Sequence, residues 1–267
     1  MSLSTKVALV TGASSGIGAA TARRLARDPG TELVLVARRA ELLAELAESL
    51  PCPATWVAAD LTRSEAPELV RAHVEQHHDR LDLLVNNAGA AWRGTFGESG
   101  WANVHRHMEL NFDAVVRLTE ALLPLLRRSA PSAIVNVAST AGRVSRANSG
   151  AYSASKFALI GWTDALHLEE APHGVHVGMV LPGFVPTEGF QATELQQRAV
   201  TRWILSSPEK VAEAIHEVGP GGKAERYVPR PYALAAYLRV LSPRLVRRVL
   251  GGGSAATFTP AASERKD

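Results

Sequence analysis

Short apolar runs rich in β-branched residues alternate with longer amphipathic stretches along most of this chain. The strand-like runs are Val7–Val10, Glu32–Arg38, Ala54–Asp60, Leu81–Ala88, Ala133–Ser139, His176–Leu181 and Glu225–Pro229. The stretches with helical periodicity are Ile17–Arg27, Ala40–Leu50, Ser64–His78, Gly100–Arg128, Ala151–Glu170 and Pro208–Val218. Several strands are apolar at nearly every position, as in sheets covered on both faces. This alternation predicts a doubly wound parallel α/β sheet of about seven strands with helices on both faces.

Composition narrows the classes of protein that this chain can represent. Its 267 residues suit one domain, and its hydrophobic fraction of 46% and charged fraction of 21% are typical of a globular protein. The net charge is only +3 and the basic residues are scattered, which argues against nucleic-acid binding. The single cysteine, Cys52, excludes an intrachain disulfide, and no cluster of residues has metal-ligand spacing. Without a signal-peptide pattern or a run of about 18 apolar residues, the expected location is the cytoplasm.

A glycine-rich turn, Thr11–Gly18, joins the first predicted strand to the first helix. Gly12, Gly16 and Gly18 allow a tight turn and let a phosphate approach main-chain N–H groups. The N-terminus of the following helix adds a partial positive charge at the same place. Because this turn lies between a strand and a helix at the start of the alternating pattern, it predicts a dinucleotide-binding site.

The spacing of the turn is G-x3-G-x-G, and further motifs follow it in a set order. These motifs are Asn86-Asn87-Ala88-Gly89, Asn111, Ser139, Tyr152 with Lys156, and Pro182-Gly183 with Thr187. In this order and spacing the chain resembles the short-chain dehydrogenase/reductase family from residue 5 to about residue 230. The resemblance implies a Rossmann-like fold and an oxidoreductase that uses a nicotinamide cofactor.

Tyr152 and Lys156 are four residues apart on a predicted helix, so their side chains share one face. A free phenol has a pKa of about 10, which is too high for an efficient base near neutrality. A nearby ammonium favours the phenolate, so we expect Lys156 to lower the pKa of Tyr152 toward the operating pH. Ser139 is expected to hold the substrate oxygen through its hydroxyl. The resemblance further implies that Lys156 binds the nicotinamide ribose and that Asn111 holds a water of a proton relay.

The end of the second strand bears on the choice between NAD(H) and NADP(H). Ala37 stands where an acidic residue would accept hydrogen bonds from a ribose 2′-hydroxyl, and Arg38 follows it. An arginine here can form a charge-assisted pair with a 2′-phosphate, so NADP(H) is the expected cofactor. The alternative ligands for that phosphate are Ser14, Ser15 and Arg39. The expected cofactor-binding residues are Gly12, Ser14, Ser15, Gly16, Ile17, Gly18, Arg38, Arg39, Asp60, Leu61, Asn87, Ala88, Gly89, Tyr152, Lys156, Pro182, Gly183, Val185 and Thr187.

Apolar and aromatic residues near these motifs bear on the substrate. The expected substrate-binding residues are Ser139, Trp92, Val144, Phe184 and Phe190. They predict a largely apolar pocket for a bulky substrate, closed by a loop over residues 184–207 that the resemblance implies. The alternative is that these aromatics only pack the loop onto the body of the protein. Arg143 and Arg146 could meet a carboxylate or a carrier phosphate, but exposed arginines more often only aid solubility.

The chain continues past the last predicted strand, with a segment over 231–250 and a small, polar tail over 251–267 that we expect to be disordered. An apolar stripe in the segment consists of Leu234, Leu238, Leu241, Leu245 and Val249. Ser242-Pro243 interrupts this stripe, which predicts two short helices with an elbow. The favoured role is a cover over the substrate pocket, and the alternatives are a subunit contact or a dock on an anionic membrane surface.

The sequence therefore predicts an NADP(H)-dependent oxidoreductase that interconverts an alcohol and a ketone or aldehyde. Residues 1–230 would form one domain, which we expect to act on a small-molecule substrate as a homodimer or homotetramer. Another enzymatic reading is a 3-oxoacyl-thioester reductase. A different class of protein is also open, a non-catalytic dinucleotide-binding sensor or interaction module, since a fold alone does not prove function.

Overall fold

The computed structural model describes residues 6–186 and 205–251, apart from the side chains of residues 250 and 251. Its strands are β1 (Lys6–Thr11), β2 (Thr31–Ala37), β3 (Ala54–Ala58), β4 (Leu83–Asn86), β5 (Ser132–Val137), β6 (Val175–Pro182) and β7 (Glu225–Val228). They form one seven-stranded sheet in the order β3-β2-β1-β4-β5-β6-β7, and every pair is parallel. The predicted fold class is confirmed. Thr187, Phe190, residues 187–204 of the expected loop and all but Gly251 of the expected tail over 251–267 lie outside the described residues.

Helices cover both faces of this sheet. In the described residues they are α1 (Gly16–Leu25), α2 (Ala40–Ser49), α3 (Ala66–His77), α4 (Phe96–Met108), α5 (Ala114–Arg128), α6 (Gly150–Glu170), α7 (Pro208–Val218), α8 (Tyr232–Leu241) and α9 (Pro243–Gly251). Apolar residues of α1, α2 and α7 pack in one core cluster, and those of α3, α5 and α6 pack in another. The strands are buried between the two, which explains why their sequences are apolar on both faces.

The stretch Gly100–Arg128, predicted as one helix, is divided in the structure. Its first helix, α4, begins earlier because Thr95 and Glu98 form a reciprocal capping box, and Gly100 then adopts non-helical angles of φ 54° and ψ −156°. A π-helical turn, Glu109–Asp113, separates α4 from α5. This turn contains Asn111, which is fully buried. A widened turn of this kind is frequent at functional sites, and here it presents the Asn111 side chain to Ala90, in the loop after β4, and to Ser155 of α6.

The sheet order changes direction between β1 and β4, and this places a crevice at the carboxyl ends of the two strands. Thr11, the last residue of β1, fastens the two ends together. Its Oγ1 donates to the Val85 carbonyl at 3.2 Å and accepts from the N–H groups of Asn87 and Ala88 at 2.9 and 3.0 Å. The crevice therefore has fixed walls, formed by the glycine turn on one side and the loop after β4 on the other.

The segment beyond β7 forms the two short helices expected from the sequence, α8 and α9, with Ser242 between them. Most of their apolar side chains are exposed, and Ala236 is the buried residue of α8. The ring of Tyr232, at the start of α8, packs against Gly183, where an added Cβ would lie 2.3 Å from the ring. No helix within residues 6–186 and 205–251 combines the length and apolarity needed to cross a membrane.

Candidate active site

The glycine turn brings the N-terminus of α1 close to the loop after β4. Gly12 has a φ of 65°, and a Cβ there would lie 2.9 Å from Nδ2 of Asn87. A Cβ on Gly18 would lie 2.1 Å from the Gly12 carbonyl oxygen. Side chains at these two positions would push the helix away from the turn. Their absence leaves a cradle of main-chain N–H groups that suits a pyrophosphate.

An arginine and two serines meet at the edge of this cradle. The Arg39 guanidinium donates to Ser14 Oγ at 3.0 Å and to Ser15 Oγ at 2.9 Å. Arg39 is exposed just beyond the end of β2, and the two serines are partly exposed in the turn after β1. A cation with two hydroxyl groups at this place is a suitable site for a phosphate on the adenosine ribose. Of the alternatives considered from the sequence, the structure thus brings Arg39, Ser14 and Ser15 together.

The charge of Arg38 acts on a different neighbour, the carboxylate of Asp60. Asp60 Oδ1 accepts hydrogen bonds from the N–H of Thr62 at 3.1 Å and from its hydroxyl at 2.8 Å. Burial raises the pKa of Asp60, but these hydrogen bonds and the charges of Arg38 and Arg63 lower it on balance. Asp60 is therefore held as a carboxylate, and Arg38 is exposed beside it.

Ser139, Tyr152 and Lys156 line one cavity of about 270 Å³. Ser139 follows β5, and its Oγ accepts from the Ala141 N–H at 3.1 Å and donates to the Pro182 carbonyl at 3.4 Å. Tyr152 and Lys156 both project from the first turns of α6, as their spacing predicts. The hydroxyls of Tyr152 and Ser139 are hydrogen-bonded to each other. The cavity therefore presents two hydroxyl groups to the same point.

The pKa of Tyr152 is raised, opposite to the direction expected from its spacing with Lys156. Burial raises the pKa of Tyr152, and the hydrogen bond with Ser139 only partly opposes this. Lys156 is itself buried, and burial lowers its pKa to about 8. Its Nζ donates to the Val137 carbonyl at 2.8 Å and lies 6.0 Å from the centre of the tyrosine ring. Desolvation by burial is therefore the largest influence on the pKa of both Tyr152 and Lys156, and spacing along the helix did not reveal it.

Asn111 acts on the loop after β4 rather than on the cavity wall. Its amide donates to the Ala90 carbonyl at 2.9 Å and accepts from the Ala90 N–H at 3.0 Å. The same amide donates to Ser155 Oγ at 3.1 Å. The side chain therefore ties this loop to α6, one residue before Lys156. These hydrogen bonds use the polar atoms of the side chain, and the water that the resemblance assigns to Asn111 stays a prediction.

His107 is a buried neighbour of the site that the sequence did not single out. Its Nε2 accepts from the Trp92 N–H at 3.0 Å, and Nδ1 is 2.6 Å from the Asn103 carbonyl, so the ring is a neutral imidazole. Burial lowers its pKa, which keeps this form. The ring packs edge-on against Tyr152 at 6.1 Å between centroids. Only a tertiary contact reveals this role, since a lone histidine on a helix carries no such signal.

The predicted site residues fall into two groups around the crevice. Those that line the cavity are Ile17, Asn87, Gly89, Trp92, Ser139, Tyr152, Lys156, Pro182, Gly183, Phe184 and Val185. Within the described part of the chain, those outside its lining are Gly12, Ser14, Ser15, Gly16, Gly18, Arg38, Arg39, Asp60, Leu61, Ala88, Asn111 and Val144. Most of the second group surrounds the glycine turn, where the adenosine end of a dinucleotide would lie. Val144 is displaced from the cavity by its neighbours Arg146 and Ala147, which do line it.

These residues fit a nicotinamide dinucleotide. The glycine cradle and the N-terminus of α1 suit the pyrophosphate, and Asp60 would lie at the adenosine end. Lys156 and the segment Pro182–Val185 border the cavity where the nicotinamide would meet a substrate. The cradle that a Cβ would fill is the observation that supports this fit.

Comparisons with known proteins agree with this geometry. The family model described as short chain dehydrogenase matches residues 6–198. The chain is 34% identical to the ketoacyl reductase HetN of Nostoc over 80% of this chain and 75% of that protein. It is 32% identical to the 3-oxoacyl-[acyl-carrier-protein] reductase FabG of Vibrio cholerae, over 80% of this chain and 90% of FabG. A dehydrogenase/reductase structure from Sinorhizobium meliloti superposes with a TM-score of 0.73 at 28% identity, over 85% of this chain and 94% of the other.

The chain belongs to the short-chain dehydrogenase family. It is an oxidoreductase of the class that binds a nicotinamide cofactor, and the family resemblance predicted from the motifs is confirmed.

Proposed function

We propose that this protein is an NADP(H)-dependent oxidoreductase that transfers hydride between nicotinamide and a ketone, an aldehyde or a secondary alcohol. The observation that carries this proposal is the cavity in which Ser139, Tyr152 and Lys156 meet below Gly183 and Phe184. Two hydroxyl groups converge there on the position of a substrate oxygen. That arrangement suits a reaction in which negative charge develops on this oxygen.

The side chains divide the work of carbonyl reduction as follows. When bound, the nicotinamide cofactor supplies the hydride that adds to the carbonyl carbon. The Ser139 hydroxyl donates a hydrogen bond to the substrate oxygen, and the Tyr152 hydroxyl transfers its proton to that oxygen as the charge develops. Because burial raises the pKa of Tyr152, the phenol is protonated at neutral pH and ready to act as an acid. The geometry therefore suits reduction better than oxidation near neutrality.

The preference for NADP(H) rests on the cluster of Arg39, Ser14 and Ser15, with Arg38 beside it. Charge-assisted hydrogen bonds contribute about 1.5–3 kcal/mol each, so losing one weakens NADPH binding about tenfold to a hundredfold. We expect Arg39→Gln to weaken NADPH binding by this factor and to change NADH binding less than threefold. Arg27→Gln, an exposed arginine at the far end of α1, is the matched control. Equal losses for both nucleotides would show that no 2′-phosphate is bound there.

The cavity walls point to a substrate with a bulky apolar part. Trp92, Phe184 and Val185 contribute aromatic and aliphatic surface around the catalytic hydroxyls. A second candidate, the 3-oxoacyl-thioester reductase, is favoured by the names of the relatives HetN and FabG. We further propose a homodimer or homotetramer, which light scattering of the purified protein would check.

Steady-state oxidation of NADPH at 340 nm tests the proposed function across ketones, aldehydes, quinones and 3-oxoacyl thioesters. We expect turnover with at least one class of carbonyl, and Tyr152→Phe should reduce it by orders of magnitude while NADPH still binds. Free ketones and thioesters separate the two enzymatic candidates. Nucleotide binding without turnover on the whole panel would favour the non-catalytic sensor or interaction module instead.

A further inference from the structure

Two arginines reach the catalytic cavity from different loops. Arg93 lies in the loop after β4, and Arg146 follows the short helical turn Thr140–Gly142. Both line the cavity that contains Tyr152. The Arg146 guanidinium lies over the ring of Phe184, 4.4 Å from its centroid. Burial lowers the pKa of both guanidinium groups, and the charge of Arg93 adds to this effect at Arg146.

Arg143, three residues earlier, has a different environment. It forms ion pairs with Glu225 at 2.9 Å and with Asp164 at 3.8 Å, so its charge is compensated by the protein. Among the described residues, the electrostatic neighbours of Arg146 are Tyr232 and Arg93, and none is a carboxylate. A largely desolvated cation such as Arg146 is costly to keep charged until an anion joins it. The cavity is therefore suited to receive a negatively charged group.

The position of this cationic pair separates it from the phosphates of the cofactor. Ser14 and Arg39, at the glycine turn, do not line this cavity, whereas Arg146 and Arg93 line it together with the catalytic hydroxyls. An anion bound by Arg146 would thus belong to the molecule whose carbonyl lies at Ser139 and Tyr152. The catalytic hydroxyls and both arginines line this one cavity of about 270 Å³, so the carbonyl and the anionic group of one substrate can lie in it together.

We propose that Arg146, with Arg93 beside it, binds a carboxylate of the substrate, so that this enzyme selects oxo acids over neutral carbonyl compounds of the same skeleton. This inference rests on the proposed carbonyl reduction. An arginine forms two parallel hydrogen bonds with a carboxylate, which would orient the substrate as well as attract it. The Phe184 ring holds the guanidinium plane in place for that contact.

The test compares a set of cyclic and aryl oxo acids with their methyl esters, each at saturating NADPH. For the wild-type protein we expect kcat/KM to be at least about tenfold higher for the acid of the preferred pair. Arg146→Met should remove that preference while kcat/KM for the ester stays within threefold of the wild-type value. Arg146→Lys should restore part of the preference for the acid. Arg143→Met is the control in the same loop and should leave the acid-to-ester ratio unchanged. Dissociation constants for NADPH should be the same in all four proteins.

An acid-to-ester ratio that Arg146→Met leaves unchanged would overturn the proposal, as would a wild-type preference for the ester. Calorimetric titration of the corresponding hydroxy acids into the NADP⁺-saturated protein separates this failure from failure of the proposed function. If no carbonyl compound is reduced, but the hydroxy acid binds to the wild type and about tenfold more weakly to Arg146→Met, the anion site stands and the reaction is wrong.

A second inference concerns α8 and α9, and it rests on different observations. Within the described residues, no residue of 231–249 lines the cavity, and the cover expected from the sequence stays a prediction. The apolar residues of the two helices face solvent instead. The exposed ones are Leu234, Tyr237, Leu238, Val240, Leu241, Leu245 and Val249, with Val240 and Leu241 at 78% and 79% exposure. An apolar surface of this extent on a single element is typical of an interaction site.

The charges of this segment point to the kind of partner. Arg239, Arg244, Arg247 and Arg248 lie among the exposed apolar residues, and no acidic residue occurs between Glu225 and Glu264. Two copies meeting through this face would bring eight arginines together without a carboxylate from either segment. An anionic lipid surface offers both the phosphates and the apolar boundary that such an amphipathic pair needs.

We infer that α8 and α9 dock this protein on the surface of anionic membranes, with the apolar side chains at the headgroup boundary and the arginines on lipid phosphates. The full chain should sediment with vesicles of phosphatidylcholine and phosphatidylglycerol (7:3). It should stay in the supernatant with vesicles of pure phosphatidylcholine. The double variant Leu241→Gln with Leu245→Gln should lose binding, as should Arg247→Gln with Arg248→Gln. Both should keep NADPH turnover, because none of these residues lines the cavity.

Equal sedimentation with neutral and anionic vesicles, or none with either, would contradict the inference. A fall in particle mass for the leucine variant without vesicle binding by the wild type would assign the face to a second copy of the chain and overturn the lipid proposal.

Discussion

Lys156→Met should stabilise the protein at neutral pH although it abolishes turnover. Lys156 is 5% exposed, and burial lowers its pKa from the ordinary 10.5 to about 8. At 1.36 kcal/mol per pKa unit, keeping this ammonium protonated costs about 3 kcal/mol at pH 7. Losing the hydrogen bond from Nζ to the Val137 carbonyl offsets about 1 kcal/mol of the gain. The variant should therefore unfold with a free energy about 2 kcal/mol higher than that of the wild type.

The same reasoning fixes how this gain depends on pH. The folded pKa lies below the unfolded one, so the unfolded chain binds more protons between pH 8 and 10.5. The wild type then becomes more stable as the pH rises through this window, and the methionine variant does not gain in this way. The difference between the two should shrink by about 1 kcal/mol between pH 7 and pH 9.

Urea unfolding followed by tryptophan fluorescence at both pH values measures this difference. Lys210→Met, which removes an exposed lysine of α7, is the control and should change the free energy of unfolding by less than about 0.5 kcal/mol. A Lys156→Met protein less stable than the wild type at pH 7 would refute the reasoning. A gain that does not depend on pH would refute the assignment to the buried charge.

Three further results are expected. Asn111→Leu frees the Ala90 backbone, so kcat should fall at least about tenfold and the melting temperature should drop, as kinetics and calorimetry would show. His107→Phe leaves the Trp92 N–H without its acceptor, so KM for the carbonyl should rise more than kcat falls, and an unchanged KM would argue against this positioning role. The kcat of reduction should stay level from pH 6 to 7, where Tyr152, whose pKa burial raises, and Lys156, whose pKa burial lowers to about 8, both keep their protons. A kcat that falls as the pH rises from 6 to 7 would contradict the buried, protonated phenol.

The sheet could be predicted because its determinants are local. Strands such as Leu33–Val36 and Ile134–Val135 are apolar on both faces, and right-handed crossovers leave few ways to arrange them. The helix over Gly100–Arg128 could not be divided from its periodicity. The π-helical turn depends on tertiary hydrogen bonds from Asn111 to a loop about twenty residues away in sequence, and a hydrophobic pattern does not report such bonds.

The residues of the site could be predicted from the sequence, but their pKa shifts and charge pairing could not. Motif spacing located Ser139, Tyr152 and Lys156, which the structure gathers around one cavity. The direction of the tyrosine pKa depends on how deeply both groups are buried, and sequence spacing carries no measure of burial. Likewise Arg143 and Arg146 look equivalent in sequence. Only the fold shows that distant carboxylates pair with the first and that the cavity receives the second.

Transfer of a label from the cofactor to the product tests the central claim most directly. The protein would be incubated with NADPH deuterated at either hydrogen of C4 and with the best carbonyl substrate, and the alcohol would be analysed by mass spectrometry. We expect one of the two labelled cofactors to place one deuterium on the carbinol carbon, with Tyr152→Phe slower by about a hundredfold or more. An unlabelled alcohol from both cofactors, or a Tyr152→Phe protein as fast as the wild type, would contradict hydride transfer assisted by Tyr152.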